Sequence, residues 1–577
     1  MSARKRSSNQ VWTHCGLAAI GLLVAIQATA RTIVDLQPNA ATTLLPAKPG
    51  DGTGSIRLTN LNPDFNIWYV LEIQRPGDDD CCVFHLENPA PGRYTYRLDE
   101  AFDSGLIVTE GGVDYRCPLW HASNLSPRFT PDPRKTFFPL CENRILLRNP
   151  TQGAETTKEF VADFLRKHVW GGEAITGLVK DYLYKDRYLI TSPVNAAAQD
   201  AASTAAAAGT GPLPARIDSR HQGDTMEARE LGIGLQHADP HAVSVGQWYT
   251  TQASADMFVS VIQPQLVDRA ILATHTEHVR ELDALEAKAS VYLLAFNLHH
   301  LDLGFSLGTL HPSAEWSYRA PTRYKSSHSP GPDGIDNYEP LVMVGKLNPI
   351  KAPRVVATFT GGFKRTHGAF KWGRLSQINK ASHYGFRVNG VTFSTLQPGL
   401  ATLLIYRDGS VDMKTWRSDD ARDLPRILHA RQNGVPIIEW DERSGQGLPG
   451  AYVNDWGRGN WSGSAESEQR TLRAAACLQE AHGESYLIYA YFSSATPNAM
   501  ARVFQAYGCR YAMHLDMNAL EHTYSAVYLT QGNEFIIQHL NTGMDVLDKK
   551  EKETGTIVPR FVGSADNRDF FYVMEKE

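Results

Sequence analysis

The stretch TFTGGFKRTHG, residues 358–368, decides how the second half of this 577-residue chain is read. It continues a run of β-branched and aromatic residues, VVATFT over 355–360, into two glycines and then polar side chains. Such a run predicts a strand. The glycines remove Cβ atoms that would keep a ligand away from backbone N–H groups. Gly361 and Gly362 are therefore candidate contacts for phosphate or sugar oxygens, with Lys364 and His367 as nearby charge and Thr360 at the strand end. A tight structural turn explains the glycine pair without any ligand.

A second strand pattern, YAMHLDMN over 511–518, ends in titratable and amide groups. Side chains alternate on a strand, so His514 and Asp516 share a face while Tyr511, Met513 and Leu515 face a core. Asn518 closes the run, and Glu521 and His522 follow at a turn. The plain alternative is a hydrogen-bonded strand end. A third stretch, RTLRAAAC over 470–477, offers Arg473, whose guanidinium fork suits bidentate phosphate binding. An arginine taken alone is more often a surface ion pair. The aromatic, glycine-rich WGRGNW at 456–461 either stacks a sugar ring or packs a loop.

Working outward, strands are expected at Met257–Ile262, Ser290–Leu298, Val355–Thr360, Thr402–Tyr406, Ser485–Tyr491 and Tyr511–Asp516. Asp408-Gly409 marks a hairpin turn. Helices are expected at Thr276–Ala289 and Pro497–Tyr507, giving an α+β domain over 245–575. Residues 196–215 are rich in alanine, end in Gly/Pro punctuation and have no apolar face, which predicts a linker. Before it, 31–195 reads as a smaller β-rich or α+β domain. Its strands are expected at Ser55–Leu58, Ile67–Ile73, Arg93–Leu98 and Ile145–Leu147, with a helical pattern over 156–184. It carries no catalytic signature.

The first 30 residues have the form of a signal peptide: Arg4, Lys5 and Arg6, an apolar run at 16–26, then Ala28-Thr29-Ala30. An uncleaved anchor is the alternative, although the run is short for a bilayer span. No later stretch is apolar enough to cross a membrane. The expected product is secreted, extracellular or periplasmic, beginning near Arg31. Six cysteines remain, four in the N-terminal region and two in the C-terminal one, so pairing within each region is expected. The length implies two to four domains. The composition, 42% apolar and 21% charged, is globular, and a net charge of −5 argues against nucleic-acid or anionic-membrane partners.

Taken in order, these motifs resemble the phosphodiester glycosidase family. Thr360-Gly361-Gly362-Phe363, GFRVNG at 385–390, Arg407-Asp408-Gly409, NGVPI at 433–437, RAAAC at 473–477 and HLDMN at 514–518 match its pattern over roughly 250–548. Two places depart from it: Thr360 replaces an asparagine, and Met517-Asn518 replaces a glycine pair. The resemblance implies removal of a sugar joined through its anomeric carbon to a phosphodiester. It assigns Asp516 as the catalytic carboxylate and His514 as its orienting or proton-transfer partner. Arg473, Gly361, Gly362 and Lys364 go to the phosphate, with His367, Thr360 and Asn518 at binding positions. The expected partner is a glycan or sugar phosphate, and no cofactor is expected. Two other readings stand beside this one. One is a non-catalytic glycan or phosphoglycan binder. The other is a metal-dependent hydrolase using His514, Asp516, Glu521 and His522, so a divalent metal is left open.

Overall fold

The computed structural model describes residues 33–46, 54–75, 81–168, 186–196, 211–313, 315–317, 320–325, 333, 341–368, 383–454, 469–531, 534–551 and 555–577. The signal-type segment, most of the 196–215 stretch and the 456–461 stretch lie outside them.

Strand accounts for 41% of the structure and helix for 14%, so the fold is β-rich and the α+β expectation is corrected. The stretch at Thr276–Ala289 shows why. Asp283 Oδ1 accepts the N–H groups of Leu285 (2.8 Å) and Glu286 (3.0 Å), and the N–H of Arg280 goes to Asn498 Oδ1. Buried Glu286 accepts the N–H of Thr496. These side-chain bonds replace helical ones, and only a 3-10 turn at Glu286–Lys288 forms. The helix at Pro497–Ala506 does form, with proline in its first turn. The 156–184 pattern gives a helix at Thr157–His168; residues 169–185 lie outside the described set.

The N-terminal unit pairs six antiparallel strands in the order Ala41–Pro46, Ser55–Asn60, Trp68–Gln74, Cys81–Glu87, Ile145–Arg148, Phe137–Leu140. A three-stranded sheet over Tyr94–Pro118 packs with it. Strand alternation divides the Trp68–Gln74 strand between two cores. Tyr69, Leu71 and Ile73 join the unit's own core, while Trp68 and Val70 join the large core of the rest of the chain.

The larger part is built on an eight-stranded sheet whose centre is Val291–Asn297, Glu484–Ala495, Thr471–Ala481 and Tyr511–Met517. A five-stranded sheet runs Leu301–Ser306, Phe570–Glu575, Val355–Thr360, Ser525–Gln531, Glu534–His539. The two pack face to face. Phe359 of the second meets Phe296 (5.9 Å) and Tyr489 (5.0 Å) of the first. Another five-stranded sheet contains the Asp408-Gly409 hairpin, with Gly409 at φ 84° as such a turn requires. Disulfides join Cys117 to Cys141 and Cys477 to Cys509, one in each region. Among the described residues no helix is long and apolar enough to cross a membrane.

Candidate functional site

Three sheets meet at Asn433, just past the Ile427–Gln432 strand. Its Nδ2 donates to the carbonyls of His514 (2.7 Å) and Leu515 (2.8 Å), and its Oδ1 accepts the N–H of Phe363 (3.0 Å). The ends of the 355–360 and 511–517 strands, predicted separately to carry chemistry, are thereby stapled together.

The double glycine makes room at this junction. Arg431 is fully buried and donates through Nε to Asp569 Oδ2 (2.7 Å), and through Nη2 to the Phe363 carbonyl (2.6 Å). A Cβ on Gly361 would lie 2.4 Å from Asp569 Oδ2, and one on Gly362 would lie 2.6 Å from Asn433 Oδ1. The Gly361 N–H donates to the Asp569 carbonyl (2.8 Å), and the Gly362 N–H points at Asp569 Oδ2 from 3.5 Å. Both amides are thus turned toward protein acceptors. Burial pushes the Asp569 carboxyl above its usual range, against the pull of Arg431.

Asp516 is 6% exposed. Its Oδ1 accepts the Met517 N–H (2.8 Å), and its Oδ2 accepts from Arg568 Nη1. Arg568 also donates through Nε to Glu159 Oε1 (2.9 Å), from the N-terminal helix. Local sequence aims Glu159. Thr156 and Glu159 form a capping box in which the Thr156 N–H reaches Glu159 Oε2 (2.9 Å) and the Glu159 N–H reaches Thr156 Oγ1 (3.3 Å). Just before it, Ala154 bonds to Ala565 and Asn567, which carries the helix to Arg568. His522 Nε2 lies 3.2 Å from Glu159 Oε1, and His522 Nδ1 donates to the Met517 carbonyl. Burial opposes charge on Glu159, but Arg568 and His522 outweigh it and hold the carboxyl far below the ordinary range. Burial likewise opposes charge on Arg568, and Asp516 and Glu159 more than reverse the effect.

His514 and Arg473 lie together within the sheet layer, both fully buried. Arg473 donates to the carbonyls of Ala495 (2.8 Å) and Gln469 (3.0 Å), and its Nη1 faces His514 Nε2 (3.2 Å) and Met517 Sδ (2.9 Å). Burial pushes Arg473 down to about 9. Burial and then Arg473 drive His514 well below the usual histidine value, so its ring is neutral. The pair clamps three adjacent strands behind Asp516. Thr360 Oγ1 donates to the His522 carbonyl (2.7 Å). Asn518 takes φ 83°, a left-handed geometry that asparagine tolerates better than most residues.

His311 gave no signal in the sequence. Its N–H donates to the Asn567 carbonyl (2.8 Å), beside Arg568. The ring is 2% exposed, and among the described residues neither nitrogen has a hydrogen-bond partner. Burial, then Arg568 and Lys364, hold its pKa well below normal, and His367 and Glu159 are further charged neighbours. Lys364 and His367 themselves are half-buried at the turn after the glycines. Arg568, Asp569 and Glu159 were also missed. A charged Asn567-Arg568-Asp569 ahead of the apolar FFYVM, and the TTKE capping signature at 156–159, were the available signals. Among the described residues, no three His, Cys, Asp or Glu side chains are grouped to hold a metal ion.

No family model and no curated protein matches the chain. Distant likenesses occur among solved structures, each at 10% identity. The catalytic domain of zebrafish N-acetylglucosamine-1-phosphodiester alpha-N-acetylglucosaminidase, auto-inhibited by its pro-peptide, has a TM-score of 0.29 and covers 64% of this chain and 96% of its own. A candidate exported protein of Burkholderia pseudomallei scores 0.23 over 49% and 74%, and a hypothetical protein from Synechocystis 0.26 over 88% and 97%.

Proposed function

We propose that the protein is an exported hydrolase that cleaves a sugar from a sugar-1-phosphodiester or a related glycan. The observation that carries this reading is the buried Asp516–Arg568 pair, set beside an unpartnered His311 with Lys364 and His367 close by. Departure of a phosphate leaves positive charge on the sugar ring and negative charge on the leaving oxygens. In this reading Asp516 stabilises the first or activates water, and Arg568 with Lys364 stabilises the second. A phosphate leaving group is a weak base, so no strong general acid is required. Neutral His311 donates or accepts a hydrogen bond to the bound ligand. His514 and Arg473 position the Asp516 strand from behind.

Binding without turnover is the second reading. It is favoured by Glu159, which occupies part of the Arg568 fork.

The test is sugar release from an N-acetylglucosamine α-phosphodiester by the mature protein and by Asp516→Asn. The variant should lose a factor on the order of a hundred or more. Equal turnover by the variant would remove Asp516 from the chemistry. Tight binding of the diester with no release would leave the binding reading.

A further inference from the structure

Away from Asp516, the N-terminal unit and the larger part enclose a cleft of about 580 Å³, within the size range of ligand pockets. Among the described residues its charged lining is cationic: Arg134, Lys135, Lys346 and Lys549. That is opposite in sign to the whole chain at −5. Arg134 is paired with Asp132, so its charge is partly matched. Lys346 is different. It is half-buried, and burial alone acts on its ammonium, lowering its pKa. The carboxylate in the narrow crevice behind it, Glu87, is taken by Arg148 (3.4 Å) and by Asn348 Nδ2 (2.6 Å). Among the described residues no carboxylate is paired with Lys346, and partly desolvating a cation costs free energy that an incoming anion would recover. The ring of Phe137 and the polar Thr136, Thr151, Gln152 and Ser564 complete the wall, a mixture suited to sugar faces and hydroxyls.

We propose that this cleft binds a stretch of an anionic glycan, through phosphate or carboxylate groups held by Lys346, Lys549 and Lys135. Ala565 lines the cleft and Arg568 follows three residues later, at most about 11 Å away along the chain. The cleft wall is thus close along the chain to Arg568, the partner of Asp516. The binding claim rests on the cleft's own charge, while the link to cleavage rests on the glycosidase reading.

The experiment is calorimetric titration of the full mature protein, at low and high salt, with three oligosaccharides: a sugar-phosphate oligomer, an oligogalacturonate and neutral maltohexaose. One or both anionic oligomers should bind, more weakly at high salt, and maltohexaose should not. Lys346→Gln with Lys549→Gln should weaken binding about tenfold or more. Lys135→Gln with Lys549→Gln, which changes only exposed lysines, should weaken it in the same direction and guards against misfolding. The two anionic arms tell phosphate from carboxylate recognition. Failure of both anionic oligomers to bind, equal binding of maltohexaose, or unchanged affinity in both double variants would overturn the proposal. Turnover of a small diester, too short to reach the cleft, is followed in parallel, so failure here is distinguishable from failure at Asp516.

Discussion

A buried histidine with two unpartnered ring nitrogens is a cost that folding alone does not explain. An unsatisfied buried polar group costs about 1–3 kcal/mol, and His311 carries two such atoms. His311→Leu should therefore leave the melting temperature unchanged or raise it, yet lower diester turnover. A melting temperature that falls with turnover intact would make His311 structural. Its titration gives a second prediction. His311 and His514 have folded pKa values below their unfolded value of about 6.5. The unfolded chain then binds more protons, so their stability contribution is present above that value and is lost as pH falls below it. Denaturant midpoints should drop between pH 7 and pH 5, and His311→Leu should flatten the drop. An equal slope in wild type and variant would remove His311 as a source. At this scale the sequence was partly legible. It marked Gly361 and Gly362 as a turn that either meets a ligand or is structural. What lies against these glycines, the Asp569 carboxylate and Asn433, comes from remote chain and leaves no local trace.

Strands were legible because short runs of β-branched, aromatic and other apolar residues bounded by turn residues mark them, even where both faces are buried. The run Met257–Ile262 was expected and found with those ends, and the strand expected at Tyr511–Asp516 forms over Tyr511–Met517. Helices were less so, since Asp283 and Glu286 redirect the backbone at 276–289. The most consequential element was the hardest to place. The Thr157–His168 helix delivers Glu159 to Arg568 across 409 residues of sequence, a pairing that no periodicity encodes. On this helix Phe160 and Phe164 are 61% and 51% exposed. Thr156 and Glu159 tie its first turn to Arg568. Glu159→Gln weakens the hold on Arg568 and should have two opposite effects. Breaking one side of a buried ion pair should destabilise the protein by about 3–5 kcal/mol, while a freed guanidinium should bind inorganic phosphate more tightly. Titration with phosphate beside a denaturant melt reads both. Unchanged phosphate affinity at lowered stability would make the Glu159–Arg568 contact purely structural. The stability difference should also shrink below about pH 4, where the unfolded glutamate becomes protonated.

For the molecule as a whole, the N-terminal unit and the larger part of the chain contribute to one hydrophobic core. The outer face of the Trp68–Gln74 strand contributes Trp68 and Val70 to the core of the larger part, and Ile33 and Leu61 join them. Trp68 meets Phe393 edge-on at 5.6 Å. Gln37 adds a polar tie, its Nε2 donating to the Thr392 carbonyl at 2.7 Å. Each fully buried apolar side chain is worth about 1.5–3 kcal/mol. Four of them together rival the whole stability of a typical domain, about 5–15 kcal/mol. A fragment spanning 211–577 would expose their partners and lose Glu159 from Arg568 as well. It should melt well below the full mature chain and bind a hydrophobic dye, and Trp68→Ala in the full chain should reproduce part of that loss, about 3–5 kcal/mol. A fragment that melts with the full chain would show the two parts to be energetically separate. The cationic cleft depends on the same junction, because Arg134 and Lys135 come from one side and Lys346 and Lys549 from the other. The fragment should therefore bind anionic oligosaccharides more weakly than the full chain, in proportion to the cations it lacks.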